Sequence, residues 1–203
     1  FKKATVASHG PSTGWSNSYD NGPAQLTGVG NLLTLQTSYL DFDGQTGSTK
    51  TGHGFSFTGT GRGAYGILRT YNGNTADHLR FRHCKIGGPG SGGSSQLRLY
   101  YNQANNFTDH VFEYTYFVGG GQTWITESTG SDLVVQYCYF EDCGSGDSQY
   151  HSCGLALAGQ SNAVIRYNTF ENMLANGSTT YIEPQITGNG IYIYGNVFKR
   201  TSQ

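Results

Sequence analysis

The chain has 203 residues, enough for one domain with a sizeable core, and only 12% of them are Asp, Glu, Lys or Arg. Its net charge of −1 argues against a nucleic-acid-binding protein, and no apolar run reaches the ~18 residues of a membrane span. The 31 glycines, 15 tyrosines and many hydroxyl side chains suit a protein outside the cell, secreted or on a virion surface. Because the chain does not begin with Met, we expect a mature, processed or excised polypeptide.

Residues 1–30 are punctuated by Gly, Ser, Asn and Pro, which predicts an irregular N-terminal segment or a partial first coil. After them an eight-residue frame recurs, with mostly apolar residues at its first and third positions and an apolar residue at its last. Its clear copies are Leu79–Ile86, His110–Phe117, Leu133–Phe140, Ala163–Phe170 and Ile191–Phe198. We interpret Leu33–Leu40 as a sixth copy.

The spacing of the frame predicts a repeat fold. Its closing residues from Ile86 to Phe198 are 31, 23, 30 and 28 residues apart, and such periods indicate a solenoid, a propeller or an array. No segment has helical periodicity, and each period is too short for a four-stranded propeller blade. We predict an all-β, single-stranded, right-handed parallel β-helix of about six or seven coils over residues 31–203. We expect this helix to be uncapped or part of a longer one, because no capping helix is predicted at either end.

The frame also predicts which side chains point inward. Its first and third positions, such as Ala163 and Ile165, are apolar and are expected inside. The position two before the end is small or polar in every copy and predicts an internal hydrogen-bonding ladder. The patterns Ile165-x-x-Asn168-x-Phe170 and Ile193-x-x-Asn196-x-Phe198 resemble the repeat of the pectate-lyase-like superfamily of right-handed β-helices. That superfamily includes phage tailspikes, polysaccharide lyases and glycosidases, so the resemblance implies the fold and leaves the activity open.

The fourth frame position is expected to face outward on a flat sheet. There Arg82, Glu113 and Arg166 supply the base and the cations that β-elimination of a uronate polysaccharide needs, and Gln136 would contact substrate. The alternative is a surface ladder in which Arg82 and Glu113 form a weak ion pair. A glycosidase is less favoured, because no pair of carboxylates is indicated. The lyase hypothesis is itself weakened, because Trp124-Ile-Thr-Glu127 departs from the Trp-Ile-Asp-His motif of the best-known pectate lyases.

The fifth position carries a predicted row of tyrosines, Tyr114, Tyr137 and Tyr167. Sugars bind to such aromatic surfaces, so these residues are candidate substrate contacts. Stacking that simply stabilises neighbouring coils is an equally good interpretation. No pattern indicates a cofactor or a metal site, and Ca²⁺ is compatible with the polar loops without being indicated.

The four cysteines divide into two pairs. Cys84 and Cys138 lie two rungs apart on the internal ladder, about 9.6 Å, and are predicted to be buried free thiols. Cys143 and Cys153 flank a polar loop and are a candidate disulfide. Asn106 and Asn176 begin glycosylation sequons, which matter only in a glycosylating secretory pathway.

Two functions follow as hypotheses. The first is a β-helix that binds polysaccharide along an exposed sheet, with lyase-type cleavage as a further option. The second is a structural subunit of an extracellular filament, assembled by end-to-end stacking of β-helices without catalysis, since uncapped solenoid ends expose strand edges and core. Neither hypothesis includes a nucleic-acid partner or a membrane span.

Overall fold

The computed structural model describes residues 1–7, 9, 13, 16, 20–60, 66–70, 76–89, 97–104, 106–144, 152–173, 179–185 and 189–200. These residues form 22 short strands, numbered β1 to β22 in chain order. The strands pair in parallel with the strands one turn before and after them. The chain therefore winds as a parallel β-helix, and its walls are three long sheets.

Sheet I contains β3 (Asp41–Asp43), β6 (Arg80–Arg82), β10 (Val111–Glu113), β14 (Val134–Gln136), β18 (Val164–Arg166) and β21 (Tyr192–Tyr194). Sheet II contains β1 (Ala24–Gly28), β4 (Phe55–Gly59), β7 (Cys84–Gly87), β11 (Tyr116–Val118), β15 (Tyr139–Cys143), β19 (Thr169–Met173) and β22 (Val197–Lys199). Sheet III contains β2 (Leu33–Leu35), β5 (Leu68–Thr70), β8 (Arg98–Tyr101), β12 (Thr123–Glu127), β16 (Ser152–Leu157) and β20 (Thr179–Pro184). A small fourth sheet contains β9 (Phe107–Thr108), β13 (Gly130–Ser131) and β17 (Gln160–Ser161).

The predicted all-β parallel β-helix is confirmed. Sheet I has six strands, so the chain makes about five complete turns from β3 to β21. This count is slightly lower than the six or seven coils predicted. The difference arises because six strands of one sheet mark five complete turns.

The eight-residue frame forms the corner between sheet I and sheet II. In the copy Ala163–Phe170, Ala163 and Ile165 are fully buried, Tyr167 turns the corner with a φ of 56°, and Phe170 is buried in sheet II. The left-handed backbone at this non-glycine residue bends the chain between two strands, and the Tyr167 side chain is 47% exposed. The predicted inward and outward directions are therefore confirmed for this copy.

The internal ladder lies at the same corner. Asn168 is 1% exposed, its side-chain oxygen accepts from the backbone nitrogen of Cys138 at 2.9 Å, and its amide nitrogen donates to the carbonyl of Val135 at 2.9 Å. Asn196 repeats this pattern one turn later by donating to the carbonyl of Ile165. These bonds satisfy backbone groups that the corner leaves out of the sheets.

The interpretation of Leu33–Leu40 as a frame copy is wrong. Leu33–Leu35 is β2 and pairs with β5 in sheet III. The first frame copy instead begins at Leu40, because Phe42 pairs with Phe81 in sheet I, and it resumes only at β4, where Phe57 pairs with Ile86. Residues 45–53 are an insertion that splits this copy at its corner and hides it from a search for a continuous frame.

Candidate functional site

The outer face of sheet I brings the four predicted residues into one column. Parallel pairing sets Arg82 opposite Glu113, Glu113 opposite Gln136, and Gln136 opposite Arg166. Gln136 donates to the carboxylate of Glu113, and the Nε of Arg166 donates to the side-chain oxygen of Gln136 at 2.7 Å. From Glu113 to Arg166 the column is a continuous hydrogen-bonded ladder along the solenoid axis.

Arg82, at one end of the column, pairs with two carboxylates of the preceding coil. Its guanidinium contacts Asp41 at 2.6 Å and Asp43 at 3.5 Å, whereas no ion pair joins it to Glu113. The hydrogen bond to Asp41 raises the pKa of Arg82. The predicted Arg82–Glu113 ion pair is therefore wrong, because the preceding coil offers two carboxylates on the same face.

The predicted tyrosine strip, Tyr114, Tyr137 and Tyr167, lies beside this ladder. All three residues have a positive φ, between 48° and 56°, so their rings project from the corner. The rings stack nearly parallel, with centroids 5.1 Å apart for Tyr114 and Tyr137 and 5.4 Å apart for Tyr137 and Tyr167. His83 extends the stack at 4.9 Å from Tyr114. Since the face of each inner ring is covered by its neighbour, the strip presents ring edges and hydroxyls, and a sugar would meet those.

The insertion lies against the outer face of sheet II, a position that the repeat frame does not predict. We call residues Gln45–His53 the corner loop. Its two ends touch, because a Cβ on Gly54 would lie 1.9 Å from the carbonyl oxygen of Gly44. Lys50 at its tip contacts Glu141 at 2.5 Å and Glu171 at 3.0 Å. The bracketing glycines Gly44 and Gly54 were the only local sign of a closed loop.

The carboxylate of Glu171 has three partners on this surface, Tyr139, Lys50 and Lys199. The hydroxyl of Tyr139, followed by the ammonium groups of Lys50 and Lys199, lowers the pKa of Glu171 from 4.5 to about 2. Because the pKa of Glu171 is lower in the folded state than in the unfolded state, its ionisation stabilises the fold. This contribution is fully present above pH 4.5 and is lost as the pH falls through about 2.

We therefore expect the stability difference between the wild type and Glu171→Gln to shrink on acidification. At pH 7 the variant lacks a charged partner for Lys50 and Lys199, whereas near pH 2 the wild type has lost much of that charge as well. Urea midpoints of both proteins, measured in steps from pH 7 to pH 2, check this. A difference that stays constant across the range would contradict it.

A groove runs along the outer face of sheet III. Two cavities of about 180 and 350 Å³ adjoin there and share Thr126 and Gln185 as lining residues. Arg98 covers the ring of Tyr101 at 4.4 Å, and Glu183 accepts a hydrogen bond from Cys153. The lining strands β8, β12, β16 and β20 cover three coil spacings, about 14 Å.

A buried polar network forms the inner wall of this groove. Glu127 is fully buried; its carboxylate contacts Nδ1 of His110 at 3.1 Å and accepts from the amide of Asn102 at 2.8 Å. Nε2 of His110 contacts the carbonyl of Ala76 at 2.5 Å. Every polar atom of the His110 ring and of the Glu127 carboxylate thus has a partner, which is the condition under which buried polar groups are tolerated. The repeat frame does not predict this network, because Glu127 and Asn102 lie outside the frame.

Comparison with known proteins supports the fold assignment. A family model described as a right-handed β-helix region matches residues 48–202. The chain belongs to the right-handed β-helix family. No curated protein and no solved structure matches it. Membership in the β-helix family establishes the fold and leaves the activity to be argued from the sites.

The cysteines of this β-helix protein are all free. The prediction for Cys84 and Cys138 is confirmed: both are buried, and burial raises the pKa of Cys138 to about 12. The predicted Cys143–Cys153 disulfide is not present. Cys143 packs into the apolar core, whereas Cys153 lines the groove on sheet III and donates to Glu183. The two thiols therefore lie in different environments.

The remaining predicted sites are the two glycosylation sequons. Asn106 is exposed, with a φ of 60°, and its sequon remains a prediction; Asn176 lies outside the described residues. Among the described residues no group of three or more His, Cys, Asp or Glu side chains is arranged to hold a metal ion. The described residues also contain no helix long and apolar enough to cross a membrane.

Proposed function

We propose that this β-helix protein binds a polysaccharide chain in the groove on sheet III. The proposal is carried by the two adjoining cavities, which make a continuous polar channel along the axis. A linear sugar polymer needs such a track, with hydroxyl, amide and carboxylate groups for its hydroxyls and an aromatic edge beside them. The location we infer for the protein, outside the cell or on a virion surface, rests on composition.

The groove is better suited to this role than the outer face of sheet I. There, Glu113, Gln136 and Arg166 are engaged with one another, so a ligand would have to replace existing hydrogen bonds. In the groove, Tyr101 and Gln103 also hydrogen-bond to each other, but they border open space at one end, and Thr126 and Gln185 continue this space into the second cavity, so a ligand has room to enter. Arg82, Glu113 and Arg166 stay a prediction as catalytic residues, as do Gln136 and the tyrosine strip as substrate contacts.

Binding to a glycan array, followed by titration with the best ligand, tests the groove. Tyr101→Ala is expected to weaken binding about tenfold, since truncating an aromatic contact removes about 1–2 kcal/mol. Tyr137→Ala, which removes a 39% exposed ring from the tyrosine strip, is the matched control and is expected to bind normally. The reverse result would move the site to the tyrosine strip and contradict the groove.

Cleavage is a separate part of the hypothesis. A lyase would leave unsaturated sugar ends that absorb in the ultraviolet, and a panel of uronate polysaccharides at high protein concentration tests for them. Loss of such a signal in Glu113→Gln would support catalysis on sheet I. Absence of any signal across the panel would reject the lyase and leave binding intact.

The filament hypothesis also remains a prediction. In the last described turn Ile193 is 44% exposed and Phe198 is 48% exposed, although both occupy inward frame positions. Any further coil, or a second copy stacked on this end, would bury them. Light scattering over a range of concentrations tests for the second copy, and a single concentration-independent monomer would contradict stacking.

A further inference from the structure

A cavity of about 580 Å³ lies between the N-terminal segment, the corner loop and the outer face of sheet II. It shares no lining residue with the groove on sheet III. Its lining includes three lysines, Lys3, Lys50 and Lys85, one carboxylate, Asp20, and three hydroxyl side chains. A volume of this size is typical of small-molecule sites, and the excess of cations favours an anionic ligand.

Of these cations, Lys85 is the one whose charge is available. Lys3 pairs with Asp20 at 2.8 Å, and Lys50 is directed to the carboxylates of sheet II. Lys85 lies 5.8 Å from the ring centroid of Tyr116 and has no carboxylate within 4.0 Å in the part of the chain that the structure describes. A ligand carboxylate at this ammonium would therefore compete with no ion pair.

His53 adds a second, neutral recognition element. It is 7% exposed, lines the cavity, and its Nε2 has no hydrogen-bond partner among the described residues. With its proton on Nδ1, the neutral ring presents a lone pair on Nε2 as a hydrogen-bond acceptor. Burial lowers the pKa of His53 to about 4, so the ring is neutral at pH 7 and can accept a hydrogen bond. A buried acceptor without a donor is uncommon and points to a ligand group.

We propose that this cavity binds a hydroxylated carboxylate of the sugar-acid class, with the carboxylate at Lys85 and a hydroxyl donating to Nε2 of His53. The hydroxyl side chains of the lining supply further hydrogen bonds to such a ligand. A free sugar acid and an acidic residue within a polysaccharide carry this same chemistry. The site stands independently of the groove on sheet III, and either one can fail alone.

Isothermal titration calorimetry of the full chain with glucuronate and galacturonate tests the site. Lys85→Gln and His53→Gln are each expected to weaken binding about tenfold. The controls Lys2→Gln and His78→Gln alter an exposed lysine and a half-buried histidine outside the cavity and are expected to bind as the wild type does. Glucose and inorganic sulfate, which lack the carboxylate or the hydroxyls, are expected to bind at least tenfold more weakly.

Absence of uronate binding would overturn the proposal, as would sulfate binding that equals uronate binding and ignores His53→Gln. Lys85→Gln keeps the test decisive if His53→Gln fails to fold, because an unchanged affinity in Lys85→Gln alone rejects the site. Trigalacturonate identifies the source of the ligand. Tighter binding than the monosaccharide supports the site with a polymer as its ligand, and equal binding supports it with a free sugar acid.

Discussion

Phe140→Ala is expected to destabilise the β-helix by about 3–5 kcal/mol, the usual cost of deleting a buried phenyl ring. Phe140 is fully buried between Phe117 and Phe170, with ring centroids 4.8 and 4.7 Å away, and the indole of Trp124 lies 5.2 Å from it. The coils above and below are fixed by backbone pairing, so they cannot collapse into the space. Equilibrium unfolding in urea measures the loss.

Tyr137→Ala is the control for this substitution, because it removes an aromatic ring of the same coil from the exposed corner. Its loss is expected to be about 1 kcal/mol, mostly from ring stacking. A loss for Phe140→Ala that is no larger than the control would show that the coils relax around the missing ring, and would contradict a rigid phenylalanine stack.

Glu127→Ala is expected to cost a similar amount, about 3–5 kcal/mol, for a different reason. It removes one member of a fully buried network, leaves the amide nitrogen of Asn102 without its carboxylate acceptor, and leaves Nδ1 of His110 with only the hydroxyl of Tyr100 at 3.3 Å. A buried polar group that loses its partner has already lost its hydration on folding, and no hydrogen bond offsets that free-energy cost. Urea unfolding at pH 7 gives the change in the free energy of unfolding.

Two further variants separate the network from an ordinary loss of a side chain. Glu113→Ala removes a glutamate from the outer ladder and is expected to cost less than about 1 kcal/mol. The double variant Glu127→Ala with His110→Ala is expected to cost less than the sum of the single variants, since the second substitution removes a ring that has already lost its contact with the carboxylate. Strict additivity would contradict a coupled network.

The repeat frame predicts much of this fold, because its rule is local. Alternating residues must point to opposite sides of a strand, so Ala163 and Ile165 are inside as soon as the strand exists. The corner follows too: a small polar side chain such as Asn168 can satisfy backbone groups of its own coil and its neighbour. Neither inference requires knowledge of distant residues.

The same rule fails where the chain leaves the repeat. The insertion after Gly44 breaks the frame between Phe42 and Phe57, and a search for eight continuous residues finds the unrelated Leu33–Leu40 instead. The contact of Lys50 with Glu141 joins residues 91 positions apart. No spacing in the sequence encodes such a contact, because it depends on how the loop lies on a finished surface.

The candidate sites show the same division. The frame predicts that Arg82, Glu113, Gln136 and Arg166 share a column, and the structure brings them together. The frame does not predict Asp41 and Asp43 as the partners of Arg82, because the insertion splits the frame copy that contains them. The groove on sheet III and the cavity beside His53 are formed largely by segments that lie outside the repeat frame. Their residues come together only through packing, so the sequence does not predict these two sites.

The corner loop changes how this solenoid would respond to force. In a repeat protein each coil contacts only its neighbours, so pulling on one end would peel coils away singly. Lys50 starts from the coil of β3 and ends on the carboxylates of β15 and β19, which ties non-adjacent coils together. Under tension applied along the axis, the intervening coils would then yield as one unit, and the tie would act as a mechanical clamp.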